Sequence, residues 1–187
     1  MRRSRPLVSG PQRGRIVQLS ASKGGVPKLP LPEATVDANG VTVDRQADRR
    51  AHGGPRRALC LFALERIEAL AAEGHPIVPG ATGENITTEG IDWDRVAPGA
   101  RLRLGEAVLI EVTGYTEPCW KNAQWFLEGD FSCMDQEVRP GFSRVYARVI
   151  EGGDLRPDDP VELLAGTAAE RLERTQPTII RWGPRSS

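Results

Sequence analysis

Aromatic side chains are scarce in this chain of 187 residues, with four Trp, two Tyr and four Phe. Histidine is scarcer still: His52 and His75 are the whole complement, which excludes a histidine-rich metal site. Neither HExxH nor GxSxG occurs, so the zinc-protease and serine-hydrolase patterns are absent. Three cysteines, Cys60, Cys119 and Cys133, are odd in number and lack CxxC spacing, which excludes a disulfide framework and a zinc ribbon. Free thiols in a reducing cytoplasm are the simplest expectation. Charge of one sign is lacking too. The 25 basic and 25 acidic residues cancel, against the basic excess of a protein whose main work is to coat nucleic acid. No apolar run approaches the 18 residues of a membrane helix, and the basic start, Met1-Arg2-Arg3, has no apolar segment behind it to act as a secretory leader.

What the chain does have is glycine (20) and proline (15), a content suited to turns and short strands. Residues 1–12 read as a flexible basic arm, since the first 15 residues carry five arginines and no acid. A strand is expected at Gly14–Leu19, and a hairpin across Thr35–Val43 turning at Asn39-Gly40. The spacing of Leu59, Phe62, Ala63, Ile67 and Leu70 predicts one helix, ending at Gly74. Residues 79–90 read as a long polar loop. Alternating strands follow at Arg101–Leu104 and Val108–Val112, a short helix at 120–128, and strands at Ser143–Ile150 and Val161–Leu164. A peripheral helix and tail are expected over 166–187. Strands do not alternate regularly with helices, so a doubly wound sheet is disfavoured. The expected fold is mainly β: a barrel over residues 13–165 with a few flanking α-helices.

The leading chemical candidate is Cys119 in Thr116-Glu117-Pro118-Cys119-Trp120-Lys121. Following an apolar strand, in a turn fixed by Pro118, it is placed to sit at a barrel mouth. Lys121 beside it favours the thiolate, the form that attacks sulfur or ligates a soft metal. Cys60 reads as core filling, and Cys133 as a possible second thiol for Cys119. Ahead of the predicted helix, Arg49-Arg50-Ala51-His52-Gly53-Gly54 offers backbone N–H groups and guanidinium forks to an anion, with Arg56 and Arg57 beyond. Lys23 and Lys28 in a Gly/Pro loop suit a phosphate equally. In the 80–90 loop, Asn85 can read a heterocycle edge, and Glu84 can hold an arginine or accept a ring N–H. The glycines match neither a Walker loop nor a dinucleotide fingerprint, so ATP and NAD find no support.

Taken together, SKGGVPK, DRQADRRAHGGPRRALCLF, PGATGENITTEGIDW, PGARLRLGEAVLIEVTGYTEPCW and SRVYARVIEGG, in that order, resemble the MOSC domain family, named for the C-terminal domain of molybdenum-cofactor sulfurase. The chain looks most like the short bacterial members. The resemblance implies a β-barrel and one functional cysteine, Cys119. In the reductases of the family that cysteine ligates the molybdenum of a molybdopterin cofactor, and the enzyme removes oxygen from small N-hydroxylated substrates. Electrons come from a separate transfer protein. Other members are thought to carry sulfur as a persulfide on the same cysteine, drawing on a cysteine desulfurase-type donor, and a non-catalytic cofactor-binding module is a third possibility. By motif, Lys23, Lys28, Arg49, His52, Gly53, Gly54 and Arg144 would surround the pterin phosphate, with Glu84 and Asn85 beside Cys119 and Thr116 at the rim. Neither nucleic acid nor membrane is an expected partner. One departure stands out: Arg56 occupies a position that is usually acidic in the family.

Overall fold

A computed structural model describes residues 12–45 and 54–164. The expected basic arm, the C-terminal helix and the segment holding Arg49, His52 and Gly53 lie outside these residues. The strands are β1 (Gln12–Ala21), β2 (Leu29–Leu31), β3 (Ala34–Asp37), β4 (Gly40–Val41) and β5 (Leu59–Ala63). Helix α1 (Leu64–Ala72) follows, then β6 (Ile86–Glu89), β7 (Arg101–Leu104), β8 (Val108–Tyr115), β9 (Val145–Glu151), β10 (Gly153–Leu155) and β11 (Pro160–Leu163).

Seven of these strands close on themselves in the order β1-β11-β7-β8-β9-β5-β6, because β1 pairs with both β11 and β6. The device is the length of β1. Its first residues, Gln12–Arg15, pair with Leu163–Pro160, and from Arg15 to Leu19 it pairs with β6 on its other edge, with a register shift between Ile16 and Gln18. Gly14 permits the crossing, since a Cβ there would lie 1.9 Å from the Glu89 carbonyl oxygen. All neighbours are antiparallel except β5 and β6, which are parallel and joined through α1. The hairpin β3–β4, with β10 beside it, forms a small separate sheet.

Alternation fills the barrel. In β8, Val108, Ile110 and Val112 point inward and are buried, while Leu109, Glu111 and Thr113 are partly exposed. Leu59, Leu61, Phe62, Leu102, Leu104 and Val145 complete a continuous apolar core. At roughly 25 cal/mol per Å² of apolar surface removed from water, this core is the main term holding the barrel closed.

Three expectations fail here. The run Leu59–Ala63 is strand and not the start of the helix; only Leu64–Ala72 is helical. All five residues are buried, with β6 on one side and β9 on the other, so the apolar run carries no period to separate helix from strand. Within 79–90, Ile86–Glu89 is strand β6, and Thr87 and Thr88 are fully buried between β1 and β5. Threonine looks polar in a pattern, yet its branched Cβ suits a buried strand. The predicted helix at 120–128 is a pair of 3-10 turns, Trp120–Trp125 and Leu127–Gly129.

Candidate functional site

Three segments meet at the end of the barrel where β8 stops. The first is the turn after β1, Ser22–Lys28. The second is residues 80–85, leading into β6. The third is the stretch after β8 that carries Cys119. They border a cleft that is open to solvent. Cys119 and Asn122 line one side, Thr82 and Gly83 another, and Cys60 and Tyr146 the floor where β5 and β9 pair.

Cys119 is half-buried. Its backbone is extended (φ −130°, ψ 165°) and it opens the 3-10 turn, with the Asn122 N–H donating to its carbonyl at 2.9 Å. The Asn122 carboxamide ties this turn down. Its Nδ2 donates to the Thr82 carbonyl at 3.1 Å, and its Oδ1 lies 3.9 Å from Cys119 Sγ. Sequence reasoning missed Asn122, because its signal, a polar residue three positions after a cysteine, is too common to read.

The cations fall where an anion would need them. Lys28, Arg45, Arg57, Lys121 and Arg144 line the cleft, against one lining carboxylate, Glu117. They differ in how they are held. Lys28 is half-buried, with its side chain 10% exposed, and is ion-paired with Asp44, which also accepts from Asn85 Nδ2 at 2.9 Å and from the Ser22 N–H at 2.8 Å. Arg57 lies over the Tyr146 ring, 5.3 Å from its centroid. Arg144 is 93% buried by its 7% exposure, donates through Nη1 to the Thr82 carbonyl, and has a buried Nε with no partner among the described residues. A buried donor left over in a cationic cleft is a group that waits for an acceptor.

The remaining expected residues are placed differently. Lys23 is exposed and off the cleft wall. Gly54 (φ 94°) borders a separate hollow with Asp37 and Asp44, so it does not join the cleft either. Glu84 is fully buried behind the wall, where it accepts from the Gly80 N–H at 2.6 Å and from Thr82 Oγ1 at 2.9 Å. Gly80, at φ 83°, makes that turn possible; a Cβ there would meet the Lys28 carbonyl oxygen at 2.4 Å. Asn85 reaches the wall but has its amide engaged: Oδ1 accepts from the Cys60 N–H at 3.2 Å, and Nδ2 donates to the Ser20 carbonyl at 3.2 Å. Both side chains are thus engaged within the fold, while Asn85 stays on the cleft wall and its Oδ1, with one donor, keeps a second acceptor position. Thr116 lies beneath the rim, with its N–H on the Arg144 carbonyl at 3.0 Å and its Oγ1 buried without a partner among the described residues.

The cysteines also exchange roles. Cys133, the expected companion of Cys119, lies instead against His75, with Sγ 3.7 Å from Nε2, and burial pushes its thiol up. Cys60 is the second thiol of the cleft. Burial first of all raises its pKa, and Arg144 opposes that shift. Burial likewise pushes the Tyr146 phenol up to about 12, so it is a neutral hydroxyl at any ordinary pH.

A small closed barrel with a cationic cleft and a half-buried cysteine at its mouth is the class that this fold and site define. The model of the MOSC domain matches residues 48–162, and the chain belongs to that family. It is similar to YflK of Bacillus subtilis, an uncharacterized protein, at 35% identity over 65% of this chain and 54% of that one. It is similar to YiiM of Escherichia coli at 35% identity over 67% of this chain and 57% of that one. The crystal structure of the latter superposes with a TM-score of 0.62 over 83% of this chain and 71% of its own, at 27% identity. A Gibberella moniliformis protein named reductase is 30% identical over 68% of this chain, a match that occupies 23% of that protein. The chain thus spans about half the length of the first two relatives. Among the described residues no helix is long and apolar enough to cross a membrane.

Proposed function

We propose that the chain binds a molybdenum cofactor in the cleft, with Cys119 as the protein ligand to the metal, and reduces N-hydroxylated small molecules. The observation that carries this reading is a half-buried cysteine at the mouth of a cleft lined by five cations. Molybdopterin presents a phosphate dianion and brings two sulfur ligands of its own to the metal, so it asks the protein for anion donors and one further soft ligand. The residues present fit both demands. The unpartnered Nε of Arg144 and the ammonium of Lys28 are donors to the phosphate, and the Cys119 thiolate is the ligand to the metal. The name of the reductase relative supports the class of reaction.

When bound, the cofactor supplies the two-electron chemistry that breaks an N–O bond. The chain's own residues do the rest. Asn122 fixes the turn that aims Cys119, and Arg144 holds the Thr82 carbonyl and so the opposite lip. Tyr146, uncharged and on the floor, offers a hydroxyl to a polar substrate atom without adding a negative charge. The test is turnover. Chain loaded in a cofactor-competent host, with a reduced viologen dye as electron source, is expected to convert an N-hydroxylated purine to the amine. A loaded chain that holds molybdenum and leaves the purine unchanged contradicts the substrate class. A persulfide mass increment on Cys119, with no metal, replaces the reading by sulfur transfer.

A further inference from the structure

Between Tyr115 and Val145 the chain forms no strand, and Cys119 is carried on this stretch. Between described residues, two hydrogen bonds reach from 117–129 to the barrel or its helix. One runs from Asn122 Nδ2 to the Thr82 carbonyl, on the cleft wall. The other runs from the Leu127 N–H to His75 Nδ1, at 3.0 Å. The rest turn back within the stretch, as from the Phe126 N–H to the Ala123 carbonyl and from the Gly129 N–H to the Phe126 carbonyl. The Asn122 amide has no charge for pH to change; an imidazole does.

His75 stands on a firm base. Its own N–H donates to the Leu70 carbonyl at 3.2 Å, just past the end of α1, and Ile67 and Leu70 bury that helix against the core. The ring meets the buried Phe126 edge-on, with centroids 5.2 Å apart. A backbone N–H can only donate, so the Leu127 bond requires a lone pair on Nδ1. The neutral ring therefore carries its proton on Nε2, on the side of Cys133 Sγ. An imidazolium has an N–H at both nitrogens. Once charged, His75 sets a donor against a donor, and the Leu127 bond is lost.

The charged neighbours give the imidazolium somewhere to turn. Glu73, which ends α1, and Asp130, which opens the 3-10 turn Phe131–Met134, both interact with His75. The Arg139 guanidinium holds the Glu73 carboxyl below its ordinary range, and the Ser132 hydroxyl does the same for Asp130. Both stay charged where histidines titrate, and both favour the charged ring. Arg139 competes with the ring for Glu73, and Cys133, its thiol pushed up by burial, is neutral there.

We propose that His75 is a positioning residue for Cys119: its neutral ring fastens the far end of the Cys119 segment at Leu127, and proton uptake unfastens it. Asn122 then remains as the one hydrogen-bonded tie between described residues, and the thiol's placement loosens as pH falls. The inference goes beyond the reductase reading, since it concerns where the thiol sits and holds whether Cys119 binds a metal or carries sulfur.

The test uses the full-length chain made without cofactor, so neither readout depends on turnover. Amide exchange with peptide mass analysis is expressed as protection factors, which removes the intrinsic effect of pH. In the parent, protection of the peptide holding Leu127 is expected to fall about five- to tenfold from about pH 8 to about pH 5.5, while β7 and β8 hold theirs. His75→Asn, whose side-chain oxygen accepts from the Leu127 N–H but takes up no proton, keeps high protection at both pH values. His75→Leu has low protection at both. Alkylation of Cys119 by N-ethylmaleimide is compared between parent and His75→Asn at the same pH, so that the thiolate fraction cancels. The rates are expected to be equal near pH 8 and about fivefold faster in the parent near pH 5.5. Parent protection that ignores pH, or falls equally in His75→Asn, overturns the release. Equal alkylation at both pH values, with protection falling as expected, confines His75 to Leu127 and overturns its hold on Cys119. Where His75→Leu does not fold, the parent and His75→Asn decide alone.

Discussion

The two walls of the cleft use the same residue types for opposite ends. On the 80–85 side, Glu84 and Asn85 are buried and each of their side-chain oxygens and nitrogens has a neighbour within the fold, on Gly80, Thr82, Ser20, Cys60 or Asp44. On the 116–122 side, Cys119 is half-open, Glu117 and Lys121 are exposed, and Asn122 alone is fully engaged. A carboxylate or amide in a glycine-rich loop is therefore not by itself a ligand. Its backbone neighbours decide. One wall is stiff because its polar groups are satisfied internally, and that stiffness holds the other wall's reactive group in position.

That difference breaks cleanly under substitution. The largest effect is expected for Cys119→Ala: bound molybdenum falls at least tenfold, while the thermal midpoint barely moves, because the thiol makes only a 3.9 Å contact to Asn122. Asp44→Ala comes next, and in the opposite sense. It leaves the largely covered Lys28 side chain without its carboxylate, and up to about 3 kcal/mol of stability should be lost in chemical denaturation. Asn85→Ala removes partners from the Cys60 N–H and the Ser20 carbonyl, and a loss of about 1–3 kcal/mol is expected in the same experiment. If Asn85→Ala left stability intact and abolished cofactor uptake, the distinction between the walls would be wrong.

The two cleft thiols sharpen the comparison. Burial raises the Cys60 thiol, so at neutral pH its thiolate fraction is smaller than that of an ordinary cysteine. Iodoacetamide followed by peptide mass analysis should label Cys119 well before Cys60, with the Cys60 rate still rising at alkaline pH. The smallest effect belongs to Tyr146. Its folded pKa of about 12 exceeds the ordinary phenol value of 10, so the unfolded chain loses that proton first. Its contribution to stability is whole below pH 10 and declines as pH rises towards about 12. Tyr146→Phe should flatten that decline in denaturation curves taken across the window.

Much of the barrel was legible in the sequence. Alternation in Val108–Val112 gave β8, and the Asn39-Gly40 signal gave the β3–β4 hairpin one residue out, since Gly40 opens β4 opposite Asp37 and the turn is Ala38-Asn39. The strands β5 and β6 were not legible. They are central to the sheet, with Leu59–Ala63 buried throughout and Thr87 and Thr88 in the core, and both conditions erase alternation. Misplacing β5 also hid Cys60, since a helix would have turned it towards the core instead of onto the cleft floor. Cys119 was legible because Pro118 and the end of β8 fix its place locally. The engagement of Asn85 was not, as it depends on an N–H group 25 residues and a carbonyl 65 residues away in sequence, and that of Glu84 depends on how the loop folds back onto the Gly80 N–H and the Thr82 hydroxyl.

The cleft's anion donors and its cysteine are expected to act as one site. Molybdenum and pterin content, measured together on full-length chain and on Cys119→Ser made in a cofactor-competent host, tests this most directly. The expected result is close to one molybdenum per parent chain, a large loss of metal in the variant, and unchanged folding of both. Equal molybdenum in parent and variant would contradict Cys119 as the ligand, and none in either would contradict the cofactor itself.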